Sequence, residues 1–318
     1  MIAMLLVRRV LALFAALFVA SVIIFSAINL LPGDPAEVML GTDARPDTLA
    51  ALRHDMGFDR PAPARYVEWA AGLLIGNFGM SHTYSVPVSE LVSERLPLSL
   101  PLAVGSLILA ILIGLPLGIY AGVKRGRRAD RLVLGGTKTF IAIPNVWLAM
   151  ILVLIFAMTF RILPSGGFPG WSSGLWPAMR ALILPALALS LPQAAILARV
   201  MRSSLIETFD ETYIRAARAR GLTRFATLAR HAVPNALGPV FTILGLQASF
   251  LLAGGIVIES VFSLPGLGRL MLQAINQRDL IVVQSLAMML VTAVIIVNFM
   301  VDLAALIHDP RLRRREAI

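Results

Sequence analysis

The stretch LPLSLPLAVGSLILAILIGLPLGIYAGV, residues 96–123, holds no charged side chain. A bilayer core about 30 Å thick takes about 20 apolar residues of helix, so this run can cross one. A charge at mid-bilayer costs roughly 2.5–3.5 kcal/mol even on lenient scales, which makes a gap of this length a structural signal. Working outward, comparable uncharged gaps lie at Val10–Gly33, Thr139–Phe160, Ala181–Ala198, Leu237–Ile258 and Ile281–Val301. The run Ala181–Ala198 is the shortest and carries Pro185 and Pro192, which predict an irregular helix there. The pattern predicts an all-α, polytopic membrane protein with six transmembrane helices.

Composition agrees. Of 318 residues, 58% are hydrophobic and 14% charged, against about a quarter charged in soluble domains; mean hydropathy is +0.82. The chain has no cysteine, which removes disulfides, thiolate metal sites and cysteine nucleophiles. Net charge is +10, but the basic residues stand in short blocks between apolar runs, a topology signal rather than a nucleic-acid surface. With the N-terminus inside, the inner segments hold Arg8 and Arg9, the block Lys124–Arg131, the arginines between Arg199 and Arg230, and Arg311–Arg315. The long outer segment Asp34–Arg95 has nine acidic residues against five arginines. Both termini are therefore expected in the cytoplasm. The first run exceeds the 7–15 residues of a signal-peptide core, so it is read as an uncleaved helix.

Two segments are too polar to span. In residues 34–95, Asp47 or Thr48 can cap a short helix, Pro61 can open a second with Tyr66 and Trp69 on one face, and a third is expected over Val88–Arg95. This small external domain reads equally well as a lid on the membrane or as a surface for an external partner. The inner segment Met201–Asn235 is interrupted by Gly221. After it, Phe225, Leu228, Ala229 and Ala232 recur at helical spacing, predicting two short amphipathic helices at the inner membrane face. A basic amphipathic helix can simply bind anionic lipid. The small cluster Ala216, Ala217 and Gly221, however, lets another backbone approach closely, which lipid binding does not need.

That cluster resembles the EAA loop of ABC importer permeases, Glu-Ala-Ala, three residues, then Gly. Here Arg215 replaces the glutamate, followed by Ala216, Ala217, Arg218, Ala219, Arg220 and Gly221. This variant is similar to the dipeptide and oligopeptide branch of the family, which also handles glutathione-like compounds and nickel chelates. The strings Leu31–Pro35, Gly79–Ser81, Glu94–Pro97, Ile143–Leu148, Arg230–Ala232, Glu259–Arg269 and Asp309–Arg311 resemble the same branch along nearly the whole chain. The resemblance implies a type I ABC importer permease in a bacterial inner membrane. Its parts are helix one with its cytoplasmic stub (1–33), the external domain (34–95) and a permease core (96–318) that includes the coupling segment 201–236. It also implies a second, related permease chain, two ATPase subunits and an extracytoplasmic solute-binding protein. Arg215, Ala216, Ala217, Arg218, Arg220, Gly221 and Arg224 would form the surface that docks into the ATPase.

The residues agree with an external motor. A phosphate-binding loop needs Gly-x-x-x-x-Gly-Lys-Ser/Thr; Lys124 and Lys138 are the lysines, and neither follows a glycine. ATP and magnesium are thus expected in partner ATPases, with no cofactor or metal on this chain. No ionisable residue lies inside the six runs, which disfavours a gradient-driven carrier, and the scattered histidines form no catalytic or metal cluster. A non-transport membrane scaffold is the remaining class. For the translocation path, the polar candidates are Asn145, Gln193, Gln247, Ser249 and Glu259; each can equally serve as a hydrogen bond between helices. Gly114, Gly118, Gly245, Gly254 and Gly255 are expected to permit close helix packing.

Overall fold

The computed structural model describes residues 2–30, 45–55 and 59–308. The strings Leu31–Pro35 and Asp309–Arg311 lie outside them. Among the described residues the chain is helical, with a single isolated β-bridge between Met80 and Pro87. The helices are α1 (Ile2–Asn29), α2 (Pro46–Asp55), α3 (Ala62–Leu74), α4 (Val88–Val123), α5 (Arg128–Ala142), α6 (Asn145–Leu152, continued by a π-turn to Thr159), α7 (Leu175–Phe209), α8 (Thr212–Ala219), α9 (Arg224–Thr227), α10 (Val233–Val261), α11 (Leu267–Asn276) and α12 (Leu280–His308). Five are long and apolar enough to cross a membrane, or six if the bent pair α5–α6 is one span.

The helix expected to be irregular is the centre of the bundle. α7 runs unbroken for 35 residues through Pro185 and Pro192, and 78% of its apolar window is buried, against 28% or less for the other long helices. α7 lies parallel to α4 along a seam of small residues. Every fourth residue of α4 from Ser106 through Ala110, Gly114 and Gly118 to Gly122 is buried. A Cβ on Gly114 would stand 2.7 Å from the Ala194 carbonyl oxygen, and one on Gly118 would stand 2.5 Å from that of Ala198. Such approach maximises van der Waals contact where no hydrophobic force acts between helices. Residues Leu98, Leu102, Leu148, Leu184, Leu189, Leu251 and Phe262 fill the space above the seam, drawing α6 and α10 onto α4 and α7.

Three further expectations are corrected. The run Thr139–Phe160 is not one helix: α5 and α6 meet at 106° across Ile143 and Pro144, because the residue before a proline is driven out of the helical region. Ile143 is extended, at φ −79° and ψ 123°. Val88–Arg95 is not a separate helix; it forms the first turns of α4, which continues through Pro97 and Pro101. Pro101 has no N–H to offer the Pro97 carbonyl, and Trp171 Nε1 donates to that oxygen instead at 2.9 Å. The helix expected after Gly221 is only the root of α10, joined to it through a π-turn at Leu228–Ala232. There Ala232 is buried and Leu228 half-buried, but Phe225 and Ala229 are exposed. In the outer segment α2 starts at Pro46, just ahead of the expected cap. α3 follows Pro61 as read and rests on α1, with Tyr66 edge-on to Phe25 at 5.4 Å and the Tyr66 hydroxyl 2.9 Å from Ser21 Oγ.

The bundle has a basic end, where Lys124–Arg131, Arg202 and α8 gather, and an opposite end that carries α3, α11 and the start of α12. At that opposite end Asp279, buried, caps α12 through Val282 N (3.3 Å) and receives Ser81 Oγ at 2.6 Å and Thr83 N at 3.1 Å. The α4–α7 seam generates a prediction. Gly118→Val should lower the detergent-solubilised chain's unfolding midpoint by the equivalent of about 1–3 kcal/mol, the usual cost of overpacking. Gly105→Ala, where a Cβ meets nothing within 4 Å, should leave it unchanged; thermal unfolding of the two variants checks this.

Candidate functional site

At the basic end, α7 stops at Phe209 and the chain turns through Asp210 and Glu211 into α8. Arg215 Nη2 donates to the Asp210 carbonyl at 2.9 Å, and the Arg218 guanidinium lies 5.7 Å over the Phe209 ring. Ile214 anchors the helix, being 1% exposed. α8 ends in a Schellman motif: Leu222 N donates to Ala217 O at 3.3 Å and Gly221 N to Arg218 O at 3.0 Å, with Gly221 left-handed at φ +86°. This is the geometry that glycine satisfies without a Cβ clash. Thr223 then accepts Ala226 N at 3.2 Å and starts α9. The result is a one-glycine elbow projecting from the bundle. Arg215, Ala216, Arg218, Arg220, Gly221 and Arg224 are exposed and Ala217 is half-buried. A Cβ on Gly221 would meet nothing within 4 Å, so its requirement inside this chain is conformational.

The pathway candidates do not converge. Glu259, 2% exposed, points into the N-terminus of α11: Gly268 N donates to its Oε2 at 2.7 Å and Arg269 N at 3.2 Å, and Ser99 Oγ donates to its Oε1 at 2.5 Å. Ser99 Oγ also accepts Leu267 N at 2.8 Å. A carboxylate here satisfies orphan amides and complements the helix dipole. It also explains the glycines of Glu259–Arg269: a Cβ on Gly266 would lie 2.3 Å from the Glu259 carboxyl, and one on Gly268 would lie 2.3 Å from Ile256 Cα. Beside this cap is a largely apolar cavity of about 150 Å³ lined by Ser99, Leu252, Gly255, Glu259, Met289 and neighbouring aliphatic residues.

Ser249 joins two helices, accepting Asn298 Nδ2 of α12 at 3.2 Å while donating to Gly245 O at 3.1 Å. Asn145 opens α6 and is half-buried, its Nδ2 3.5 Å from where a Gly254 Cβ would stand. Gln193 and Gln247 are buried with unpaired Oε1 atoms. Gln193 lies on α7 and Gln247 on α10, helices that the Ser204–Ala236 hydrogen bond joins. Of these five, Glu259 alone lines the cavity.

Sequence reading missed Ser99, Asp130, Arg202 and Asp279. Asp130 was visible as the one acid within the basic block Lys124–Arg131, and Asp279 as a helix cap immediately before an apolar run. Ser99 carried no signal, because only tertiary folding brings it to Glu259.

The chain is a polytopic helical membrane protein, with a basic, glycine-hinged elbow at one end and a carboxylate-capped helix at the other. The comparisons make this specific. Residues 114–314 match the family described as binding-protein-dependent transport system inner membrane component, and residues 1–103 match the N-terminal part of such components; the chain belongs to this family. It is 35% identical over 306 residues (96% of this chain, 98% of the relative) to a Sinorhizobium fredii protein named as a peptide ABC transporter permease. It is 37% identical over 309 residues (97% and 98%) to a Brucella abortus protein named as a peptide transport system permease, and 36% identical over 306 residues (96% and 97%) to the glutathione transport system permease GsiC of Salmonella typhimurium. A chain of the MetNI methionine ABC transporter shares the fold at a TM-score of 0.55 and 20% identity, over 69% of this chain and 96% of that one. The protein is thus a multi-pass inner-membrane permease component of an ABC importer.

The α11 cap is testable. Glu259→Ala should speed hydrogen exchange of the Leu267–Asn276 amides about tenfold, the equivalent of a cap worth roughly 1–2 kcal/mol, with α4 amides unchanged. Ser99→Ala should give a smaller effect in the same segment.

Proposed function

We propose that this chain forms half of the translocation pathway of an ATP-driven importer of di- or oligopeptides, and that α8 is the helix through which partner ATPases drive it. The observation that carries the reading is the elbow: an anchored helix, a left-handed Gly221 and a rim of exposed arginines around Ala216 and Ala217. Small exposed side chains admit a partner's groove, and the arginines suit an acidic margin on it.

By the positive-inside rule the basic end is cytoplasmic, with both termini. The cytoplasmic stub with the first membrane helix (1–33) and the external segment (34–95) precede a permease core (96–318), and 201–236 is the coupling segment. A second permease chain completes the pathway, two ATPases bind ATP and magnesium below it, and an external binding protein delivers the solute to the end carrying α11. Peptide is the favoured solute because relatives matching over nearly their full length carry that name; glutathione, handled by another relative, is itself a short peptide. The contacts of Ser249 and Glu259 favour helix-joining and helix-capping roles over direct solute contact, leaving Gln193 and Gln247, with unused acceptors, as the stronger candidates to face a polar solute or water.

The cysteine-free chain makes the test simple. With its partner subunits in vesicles, Ala217→Cys should cross-link to an ATPase subunit. Gly221→Val should cut peptide uptake at least tenfold, while Gly221→Asn, which tolerates the left-handed region, should retain most of it. Cross-linking to lipid alone would defeat the coupling role. Uptake that ignores added di- and oligopeptides but responds to another solute class would defeat the peptide assignment.

A further inference from the structure

An ion pair between a buried aspartate, Asp130, and a half-buried arginine, Arg202, stands outside the site described above. Asp130, on the first turn of α5, is 2% exposed, and both of its carboxylate oxygens are engaged. Arg202 Nε donates to Oδ1 at 2.5 Å, Arg202 Nη2 to Oδ2 at 2.7 Å, and Gly126 N to Oδ2 at 2.9 Å. Close by, Arg125 Nη1 lies 3.6 Å from Asp210 Oδ2, and Asp210 also accepts Arg215 of α8 through its carbonyl. We propose that Asp130 and Arg202 are positioning residues of the transport cycle: they clasp the α4–α5 turn to the stem of α8, so that displacement of α8 is transmitted to α4 and α5 as well as to α7.

Arg202 follows Ala194 and Ala198 at four-residue spacing, on the row of α7 that meets Gly114 and Gly118. At Gly122 the contact is with the Arg202 carbonyl and Leu205, and one residue beyond Val123 α4 has ended. The close-packed seam therefore runs out one turn before α7 does, and the two-bond pair takes over where it stops. The other ion pair between the α4–α5 turn and the α7–α8 corner is the exposed Arg125–Asp210 contact, and exposed pairs contribute little.

Burying an ion pair costs desolvation free energy that its attraction barely offsets, and apolar substitutes are often as stable. What a bidentate arginine–carboxylate pair supplies is fixed geometry. Asp130 also takes the Gly126 amide, so the same carboxylate sets the turn and ties it down. A rigid link is what transmission needs and what simple membrane anchoring does not.

This inference rests on the reading of α8 as the ATPase-docking helix, and the experiment separates the two. The full transporter is reconstituted in vesicles, and ATP hydrolysis and solute uptake are measured in the same preparation, with Ala217→Cys cross-linking as the check on docking. Asp130→Asn should keep docking and hydrolyse ATP within about twofold of the parent, while uptake per ATP falls about tenfold, within the usual range for coupling between sites. The double variant Asp130→Arg, Arg202→Asp should recover part of that ratio. Should Asp130→Asn fail to accumulate, Arg202→Lys keeps the charge without the paired bonds and should show the same loss. Uptake and hydrolysis falling in step with the amount of folded complex would reduce the clasp to a structural role and overturn the proposal, as would an unchanged ratio. Loss of cross-linking in the parent overturns the docking reading, and the relay with it; an unchanged ratio with cross-linking intact overturns the relay alone.

Discussion

The structure depends on how closely α4 and α7 approach. In a bilayer the lipid is as apolar as leucine, so helices gain little from hiding apolar surface from one another. Gly114, Gly118 and Gly122 solve this by placing no side chain of their own between α4 and the Ala194–Leu205 face of α7. The seam makes α7 the axis around which α5, α6 and α10 are arranged. It also explains why prolines at 116, 185 and 192 leave their helices continuous: packing on neighbouring helices holds the path of the chain where the local hydrogen bond is missing.

The charged contacts gather at the two ends of that apolar body, and there they fix one helix relative to another. At the opposite end Glu259 and Ser99 hold the N-terminus of α11 to α4 and α10, while Asp279 ties α12 to the Ser81 turn. At the basic end Asp130 and Arg202 join α5 to α7, and the Gly221 elbow sets the angle between α8 and the root of α10. An importer must convert an event at one end into opening and closing along its length. A stiff axis with specific attachments at both ends is a physical means of doing so.

Much of this was legible in the sequence. Uncharged runs locate spans because charge is excluded from hydrocarbon whatever the tertiary fold, and Gly221 announced the elbow because few other residues reach φ +86°. The break at Pro144 and the continuity through Pro97, Pro101, Pro185 and Pro192 were not separable from sequence. A proline's effect depends on whether a distant group, such as Trp171 for the Pro97 carbonyl, compensates for the missing donor. Glu259 was visible as a polar residue at a helix end, but its role was not, because Ser99 and the amides of Gly268 and Arg269 reach it only in three dimensions. Asp130 stands alone among the basic residues of Lys124–Arg131, and nothing local shows that Arg202, far along the chain, lies against it.

The most direct measurement of this account is the distance between spin labels on α8 and on the inner part of α4, at Ala216→Cys and Tyr120→Cys, in the assembled transporter with and without ATP. If α4, α7 and α8 move as one body, that distance distribution stays the same through the cycle while the distance from α8 to the matching label on a partner permease changes. A distance between α8 and α4 that shifts on ATP binding would show that the elbow swings freely on α7, and would contradict the account.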